Sequence, residues 1–166
     1  MHIPGAMPER GAVLRGMTAG LVAAGVMSVV RLIAHRAGLI ERMVPQVLQE
    51  RVSGAAGVDL RGGTAAHQLA AEVIHHGVSL AAGGTLGAAT AKPGVMTGAA
   101  YGLSIWLVDA LGLLPALGVR RVGGRGVDAA AHAIFGVTLA LAMRQLAAQP
   151  RLTARPTAIP LRERVG

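Results

Sequence analysis

Two acid–histidine pairs are the residues of this sequence whose types and spacing could do chemistry. Glu72 lies three residues before His75 and four before His76, and Asp128 lies four residues before His132. Side chains at these spacings share one face of a helix, and a carboxylate beside an imidazole can fix its tautomer and raise its basicity. We therefore expect each acid to contact its own histidine, with both pairs close together inside a helical bundle.

Three interpretations of these pairs compete. The four groups could line an entrance for protons or cations, or His76 and His132 could be ligands of a metal ion or haem. A di-iron bundle needs two Glu-x-x-His pairs and two further glutamates, and only Glu72 and His75 fit that pattern. The third interpretation is structural, because helix starts attract acids through capping and the macrodipole. This structural interpretation is favoured, so we expect neither metal nor cofactor.

Asp109 is a further acid, and it lies deep in an apolar segment just after Trp106. An acid at such a depth needs a partner or a water-filled cavity. Arg31, His35 and the hydroxyl of Ser28 are the expected partners, and pairing is favoured over ion transport. The sequence shows no Ser-His-Asp spacing, phosphate-binding loop or nucleotide fingerprint, so we do not expect an enzyme.

The composition indicates that lipid surrounds the elements that carry these groups. The chain is 52% hydrophobic and 14% charged, with a mean hydropathy of +0.53, whereas soluble domains carry roughly 25% charged residues. The net charge of +8 comes mainly from arginines at the edges of apolar runs. That distribution fits an anionic membrane surface better than nucleic acid. Cysteine is absent, so disulfides and thiolate metal sites are excluded.

Four apolar segments are long enough to cross a bilayer, which needs about 20 residues. We expect an all-α, four-helix transmembrane bundle within residues 1–148, with the bilayer as its partner. A short amphipathic helix is predicted from Leu39 to Val52, after the first span, and a basic, disordered tail over residues 149–166. The predicted spans cover about residues 11–34, 69–91, 93–117 and 129–146.

Glycines four residues apart are the strongest packing signal in the sequence. Small residues at this spacing let another helix backbone approach closely in a membrane. The groove could join a second copy or another membrane protein, but packing within the chain is the favoured interpretation. The three pairs are Gly16 and Gly20, Gly83 and Gly87, and Gly98 and Gly102.

A short internal repeat suggests two similar helical hairpins. Gly16–Leu21 matches Gly98–Leu103, and Gly77–Ala81 matches Gly136–Ala140. Two hairpins in the same orientation would be related by an axis along the membrane normal. The 16 lysines and arginines divide evenly between the two predicted sides, so the positive-inside rule does not choose an orientation. We place both termini in the cytoplasm, because the basic tail then needs no translocation.

The order of these elements resembles the small bacterial inner-membrane proteins of unknown function that include the YagU-like group. The resemblance covers about residues 11–144 and rests on small-residue motifs of low specificity. It implies a four-span protein of the inner (plasma) membrane and supplies no activity or site. The motifs are the segments Gly16–Gly20, Met27–Ser28, the connection around Pro45, His75–Gly77, Gly98–Trp106 and His132–Gly136.

The expected function is therefore that of a non-enzymatic accessory or structural membrane protein. A small transporter or proton-linked channel that uses the acid–histidine groups is the alternative. Binding of haem or a metal ion is the less favoured third possibility.

Overall fold

The described chain is helical throughout. The structure is a computed structural model that describes residues 10–40, 63–113 and 124–149, and these ranges contain four helices and no strand. The third α-helix continues directly into one π-helical turn. The helices are α1 (Arg10–Arg36), α2 (Gly63–Ala89), α3 (Val95–Val108, with the π turn Asp109–Leu113) and α4 (Arg125–Ala148).

The helix ends differ from the predicted spans by a few residues, chiefly at the start of α2 and α4. Each begins earlier than predicted because a helix continues through polar residues beyond the apolar run that marks a span. Gly38, at φ 70°, follows the end of α1 and turns the chain out of the helix. Apart from Leu39, Ile40 and Gln149, the predicted amphipathic helix and the predicted tail lie outside the described residues.

The helices form two hairpins that meet along α1 and α4. Helix α1 packs against α2 and α4, and α3 packs against α4. Tyr101 of α3 links the outer helices, because its hydroxyl donates to the Ala82 carbonyl of α2 at 2.7 Å and contacts the Thr85 hydroxyl. The inner helices are therefore α1 from the first hairpin and α4 from the second, and the four helices form a bundle.

Within the first hairpin, α1 and α2 meet backbone to backbone at their glycines. A Cβ placed on Gly16 or Gly20 would overlap the carbonyl of Gly83 or of Ser79, respectively. A Cβ on Gly87 would likewise overlap the Ala12 carbonyl. Only glycine permits this approach, and in a membrane it brings polar backbone and small side chains into dense van der Waals contact.

The second hairpin repeats this contact. A Cβ on Gly98 would overlap the Gly136 carbonyl, and one on Gly102 would overlap the carbonyl of His132. All six glycines singled out in the sequence therefore lie in contacts between helices of one chain.

The contacts also correct the predicted internal repeat. Gly16 and Gly98 are equivalent in the two hairpins, and their partners are Gly83 and Gly136. The matching of Gly77 with Gly136 was wrong, since no atom of the described residues lies within 4 Å of a Cβ placed on Gly77. In the corrected register, Gly83-Gly-Thr-Leu86 of α2 aligns with Gly136-Val-Thr-Leu139 of α4. Short repeats in Gly/Ala-rich helices can match in several registers, and helix packing selects one.

The interior and the outer surface differ in side-chain size. A core of alanine and methionine from α1, joined by Leu86 of α2, packs against larger residues of α4. Many large apolar side chains instead point outward, including Met96 at 80% and Leu111 at 74% exposure. The core consists of Ala19, Ala23, Met27, Leu86, Ala131, Phe135, Leu139 and Met143.

Two of the described helices, α1 and α4, are long and apolar enough to cross a membrane by length and composition. Helix α2 has 27 residues, but Glu72, His75 and His76 interrupt its apolar sequence. The apolar part of the third helix, Val95–Leu111, is shorter than α1 and α4. The all-helical architecture is thus as predicted, with two helices that meet the criteria for a span.

Candidate functional site

The polar side chains singled out in the sequence lie toward one end of the bundle. Helix α1 ends there and α2 and α4 begin there, so the end is opposite to Arg10 of α1 and Ala148 of α4. Arg31 of α1 lies five residues before the helix end, and Asp128 lies in the first turn of α4. The antiparallel hairpins therefore bring groups that are far apart in sequence to a similar depth.

An ion pair joins the two hairpins at this depth. Nη2 of Arg31 lies 3.8 Å from Oδ1 of Asp128. Both residues are buried, with 6% and 8% of their surface exposed, respectively. A buried charge without a partner is strongly destabilising, so this pairing lets both charges remain inside the bundle. The basic partner of Asp128 is thus an arginine of α1.

The predicted side-chain pair between Asp128 and His132 was wrong in its atoms. His132 is buried as expected, but its Nδ1 contacts the backbone carbonyl of Asp128 at 2.8 Å. A carbonyl oxygen only accepts a hydrogen bond, so Nδ1 carries the proton. The Asp128 carboxylate instead turns to Arg31, because a buried carboxylate is strongly destabilising unless an opposite charge lies beside it.

The remaining nitrogen of the imidazole faces Asp109 of α3. Nε2 of His132 lies 3.4 Å from Oδ2 of Asp109. The predicted partners of Asp109 were therefore wrong: Arg31 pairs with Asp128, and Nδ1 of His35 donates to the Ile40 carbonyl at 3.0 Å. Asp109 begins the π-helical turn, and such a turn shifts the direction of the side chains that follow an α-helix.

A hydrogen bond between these two groups would need a proton. Since Nδ1 of His132 is already protonated, a neutral ring presents only a lone pair at Nε2, and an ionised Asp109 also presents only acceptors. Their approach is favourable when one proton is held by the pair, either on Nε2 or on the carboxyl group. With one proton shared in this way, the pair would link α3 to α4.

The Glu72 group lies against the other side of α1. Nδ1 of His76 contacts the backbone carbonyl of Glu72 at 2.8 Å. The same nitrogen lies 3.5 Å from Oε2 of the Glu72 side chain. Here the acid and histidine side chains do approach each other. Ser28 of α1 donates to the same Oε2 at 3.2 Å. The His75 ring meets the His76 ring edge to face, with centroids 5.6 Å apart.

The two acid–histidine groups do not merge into one metal centre. Among the described residues, no group of three or more His, Cys, Asp or Glu side chains is placed to hold a metal ion. Arg31 is the charge that both groups share, because it pairs with Asp128 and acts electrostatically on His75. A buried cation at this place disfavours a second one beside it.

The sequence analysis did not predict that Arg31 is the partner of Asp128. Arg31 was considered only as a partner of Asp109. The available signal was its helical spacing, since it lies four residues after Met27 and three before Ala34, and both of these are buried. A basic residue on the buried face of an apolar helix must find an acid on a neighbouring helix.

Comparisons of the chain with protein-family models, with curated proteins and with solved structures give no match. The resemblance to the YagU-like group therefore remains a prediction. The evidence for a function lies in the residues of the chain and in whether its surface suits water or lipid.

Proposed function

We propose that the chain is an integral protein of the bacterial inner membrane, with four spanning helices, and that it serves as a non-enzymatic accessory or structural protein. The observation that carries the proposal is the apolar outer surface of all four helices. Each of them exposes several large aliphatic side chains. Examples are Leu14, Val29 and Ile33 on α1, Leu69, Val73 and Val78 on α2, Met96, Leu107 and Leu111 on the third helix, and Ile134 and Leu141 on α4.

Exposed apolar side chains on every helix are unfavourable in water. Soluble monomers rarely expose contiguous apolar patches beyond a few hundred Å². The complementary arrangement, with small residues between helices and large ones outside, is typical of membrane bundles. At 1.5 Å per residue, α2 is roughly 40 Å long, more than the ~30 Å hydrocarbon core. Glu72 lies in the first half of that length, and His75 and His76 lie at its midpoint. Contacts with α1, such as the hydrogen bond from Ser28 to Glu72, make these groups tolerable there.

A structural role is supported by how the interior is filled. Beyond the polar groups, toward the other end of the bundle, glycine backbones meet in both hairpins. Met27, Phe135 and Leu139 occupy the centre. A substrate that entered beside Arg31 would have to displace this apolar core to continue. A packed interior of this kind suits a protein that binds or braces other membrane components through its outer surface.

Membrane residence is tested by alkaline carbonate extraction of cell membranes. The protein is expected in the membrane pellet, because its exposed helix surface is apolar. Recovery in the soluble fraction would contradict the proposal and favour a soluble helical bundle.

The number of spans is tested by labelling single cysteines, which the cysteine-free chain permits without background. With four spans, cysteines introduced as Lys92→Cys and Arg144→Cys are labelled from the same side by an impermeant maleimide. If only α1 and α4 cross, the cysteine at position 92 is labelled from the opposite side, together with one introduced as Arg36→Cys. A C-terminal alkaline phosphatase fusion fixes the absolute orientation, and an active fusion would reverse the assignment of the termini to the cytoplasm.

Proton-linked transport is the second candidate, and the close approach of Asp109 and His132 supports it. The test is acidification of proteoliposomes that contain a pH-sensitive dye, under an imposed membrane potential. Transport predicts a proton flux that His132→Gln abolishes and Arg144→Gln preserves. The accessory role predicts a flux no greater than that of empty vesicles for all three proteins.

A further inference from the structure

An acid and a histidine are partly exposed on the surface of α2, at a depth that lipid would surround. The side chains of Glu72 and His76 are 44% and 37% exposed, respectively. Helix α2 runs from Gly63 to Ala89, so His76 lies about 20 Å from either helix end. In a spanning helix both groups would lie within the ~30 Å hydrocarbon core, where an ionisable group needs a protein partner or a water-filled cavity.

The contacts described within the chain use part of the hydrogen-bonding capacity of this pair. Nδ1 of His76 donates to the backbone carbonyl of Glu72 at 2.8 Å, so Nε2 is the ring nitrogen that can reach a further group. Oε2 of Glu72 accepts from the Ser28 hydroxyl at 3.2 Å, and an ionised carboxylate has about four acceptor positions. The same surface therefore offers an acceptor and, when the imidazole is protonated at both nitrogens, a donor.

Exposed apolar side chains flank the pair on both helices. They lie three or four residues from Glu72, His76 or Ser28, a spacing that places them on the same side of their helix. Each of them has at least 40% of its surface exposed. We call this surface the α1–α2 face, and it comprises Ser28 and Leu32 of α1 and Leu69, Glu72, Val73 and His76 of α2.

Two glycines beside the α1–α2 face leave room for another helix. Gly25 lies three residues before Ser28, and Gly77 follows His76 directly. No atom of the described residues lies within 4 Å of a Cβ placed on either glycine. Small residues at a membrane surface let a second backbone approach closely, which brings the polar groups of both surfaces within reach of each other.

We propose that the α1–α2 face joins two copies of the chain, with each Glu72 against the partner's His76 across a two-fold axis along the membrane normal. In such a dimer one surface meets itself, so the contact between acid and histidine forms twice. One proton held by each contact makes it neutral overall, which suits a setting of low dielectric. A partner with only an acid or only a base would satisfy one of the two groups, so a second copy is the complementary occupant. The dimer rests on the proposed membrane residence, because water would satisfy both groups on a soluble bundle.

Disulfide cross-linking in cell membranes tests this arrangement, since the chain contains no cysteine of its own. A cysteine introduced as Val73→Cys would lie near the two-fold axis and at the same depth in both copies. Val78→Cys is the matched control, because Val73 and Val78 are 63% and 57% exposed but lie on different sides of α2. Mild oxidation should join Val73→Cys into a covalent dimer and leave Val78→Cys monomeric.

Energy transfer between labelled chains in lipid vesicles tests the reciprocal contact. The labels are attached at Arg144→Cys, because Arg144 is exposed on α4 and lies outside the α1–α2 face. Glu72→Ala and His76→Ala should each weaken the dimer about tenfold, since each removes two hydrogen bonds between helices. A mixture of the two variants keeps one reciprocal contact, so the mixed dimer should be about threefold tighter than the dimer of either variant alone.

The outcomes separate this dimer from other occupants and from the proposed function. A mixture that binds no more tightly than each variant alone would overturn the reciprocal contact, as would equal cross-linking at positions 73 and 78. A Val73→Cys adduct with the mass of another protein would overturn the second copy as the occupant. Cross-linking leaves Glu72 and His76 intact, so it stays informative if an alanine variant does not fold. A monomer that remains in the membrane after carbonate extraction contradicts only the dimer, whereas a soluble protein contradicts membrane residence.

Discussion

Adjacent glycines on α2 provide a matched test of the backbone contact between α1 and α2. A Cβ on Gly83 would overlap the Gly16 carbonyl oxygen and lie 2.9 Å from its carbon and 3.0 Å from the Cα of Gly20. The nearest contact of a Cβ on Gly84 would be the flexible side chain of Met17, at 3.1 Å. Gly83→Ala and Gly84→Ala therefore add the same methyl group one residue apart, against backbone in one case and against a movable side chain in the other.

The magnitude follows from what must move. Ordinary contacts of a Cβ begin at 3.4 Å, so Gly83→Ala must push the two helix backbones apart by at least half an ångström. Overpacking of this kind costs about 1–3 kcal/mol. Replacement of glycine by alanine in a helix also stabilises by about 1 kcal/mol, but this gain is common to both variants. We expect Gly83→Ala to unfold at a free energy about 1–3 kcal/mol below that of Gly84→Ala.

The assay is titration of the purified protein in mixed micelles with sodium dodecyl sulfate, followed by far-ultraviolet circular dichroism. Light scattering after gel filtration gives the oligomeric state of each variant. Equal unfolding free energies for Gly83→Ala and Gly84→Ala would refute the reasoning about close backbone packing. Loss of a dimer in Gly83→Ala without a change in stability would instead favour the interpretation that the glycines join two copies.

Three further outcomes follow from the contacts between helices. Arg31→Met should lower the unfolding free energy by about 3–5 kcal/mol, because it leaves Asp128 buried without its cation; the double variant with Asp128→Leu should recover part of that loss in the same titration. Asp109→Asn should retain stability, since an amide N–H can donate to Nε2 of neutral His132, whereas Asp109→Leu should lower it. Nitrogen-15 spectra of the labelled imidazole would show whether the ring becomes neutral in Asp109→Asn. Tyr101→Phe should lower stability by about 1 kcal/mol by removing one hydrogen bond between α2 and α3, and an unchanged unfolding curve would contradict that role.

The helical nature of the chain could be predicted from the sequence with little ambiguity. Long apolar runs separated by short glycine- or proline-containing turns admit few other structures, and the turn around Pro93 requires neighbouring antiparallel helices. The glycine spacing also identified the residues through which helices approach. The number of spans could not be decided in the same way, because the polar Glu72, His75 and His76 in α2 can be tolerated or not according to what packs beside them.

Helix register is one property that tertiary structure decided. The sequence match of Gly77 with Gly136 looked as good as the correct match of Gly83 with Gly136. Gly83 is selected because its missing side chain admits the Gly16 backbone, while a Cβ on Gly77 would meet no atom of the described residues within 4 Å. This choice depends on how each helix is rotated about its own axis. A short repeat in a Gly/Ala-rich sequence does not determine that rotation.

The partner of each charged group is the other such property. Sequence spacing determined that Asp128 and His132 share a helix face, and both are buried. It did not determine what that face meets: α1 presents Arg31 to the Asp128 carboxylate, and α3 presents Asp109 to the imidazole. Periodicity along one helix limits which side chains lie together, whereas the packing of separate helices decides which charges can neutralise each other. The Arg31–Asp128 and Asp109–His132 contacts therefore join residues that are far apart in the chain.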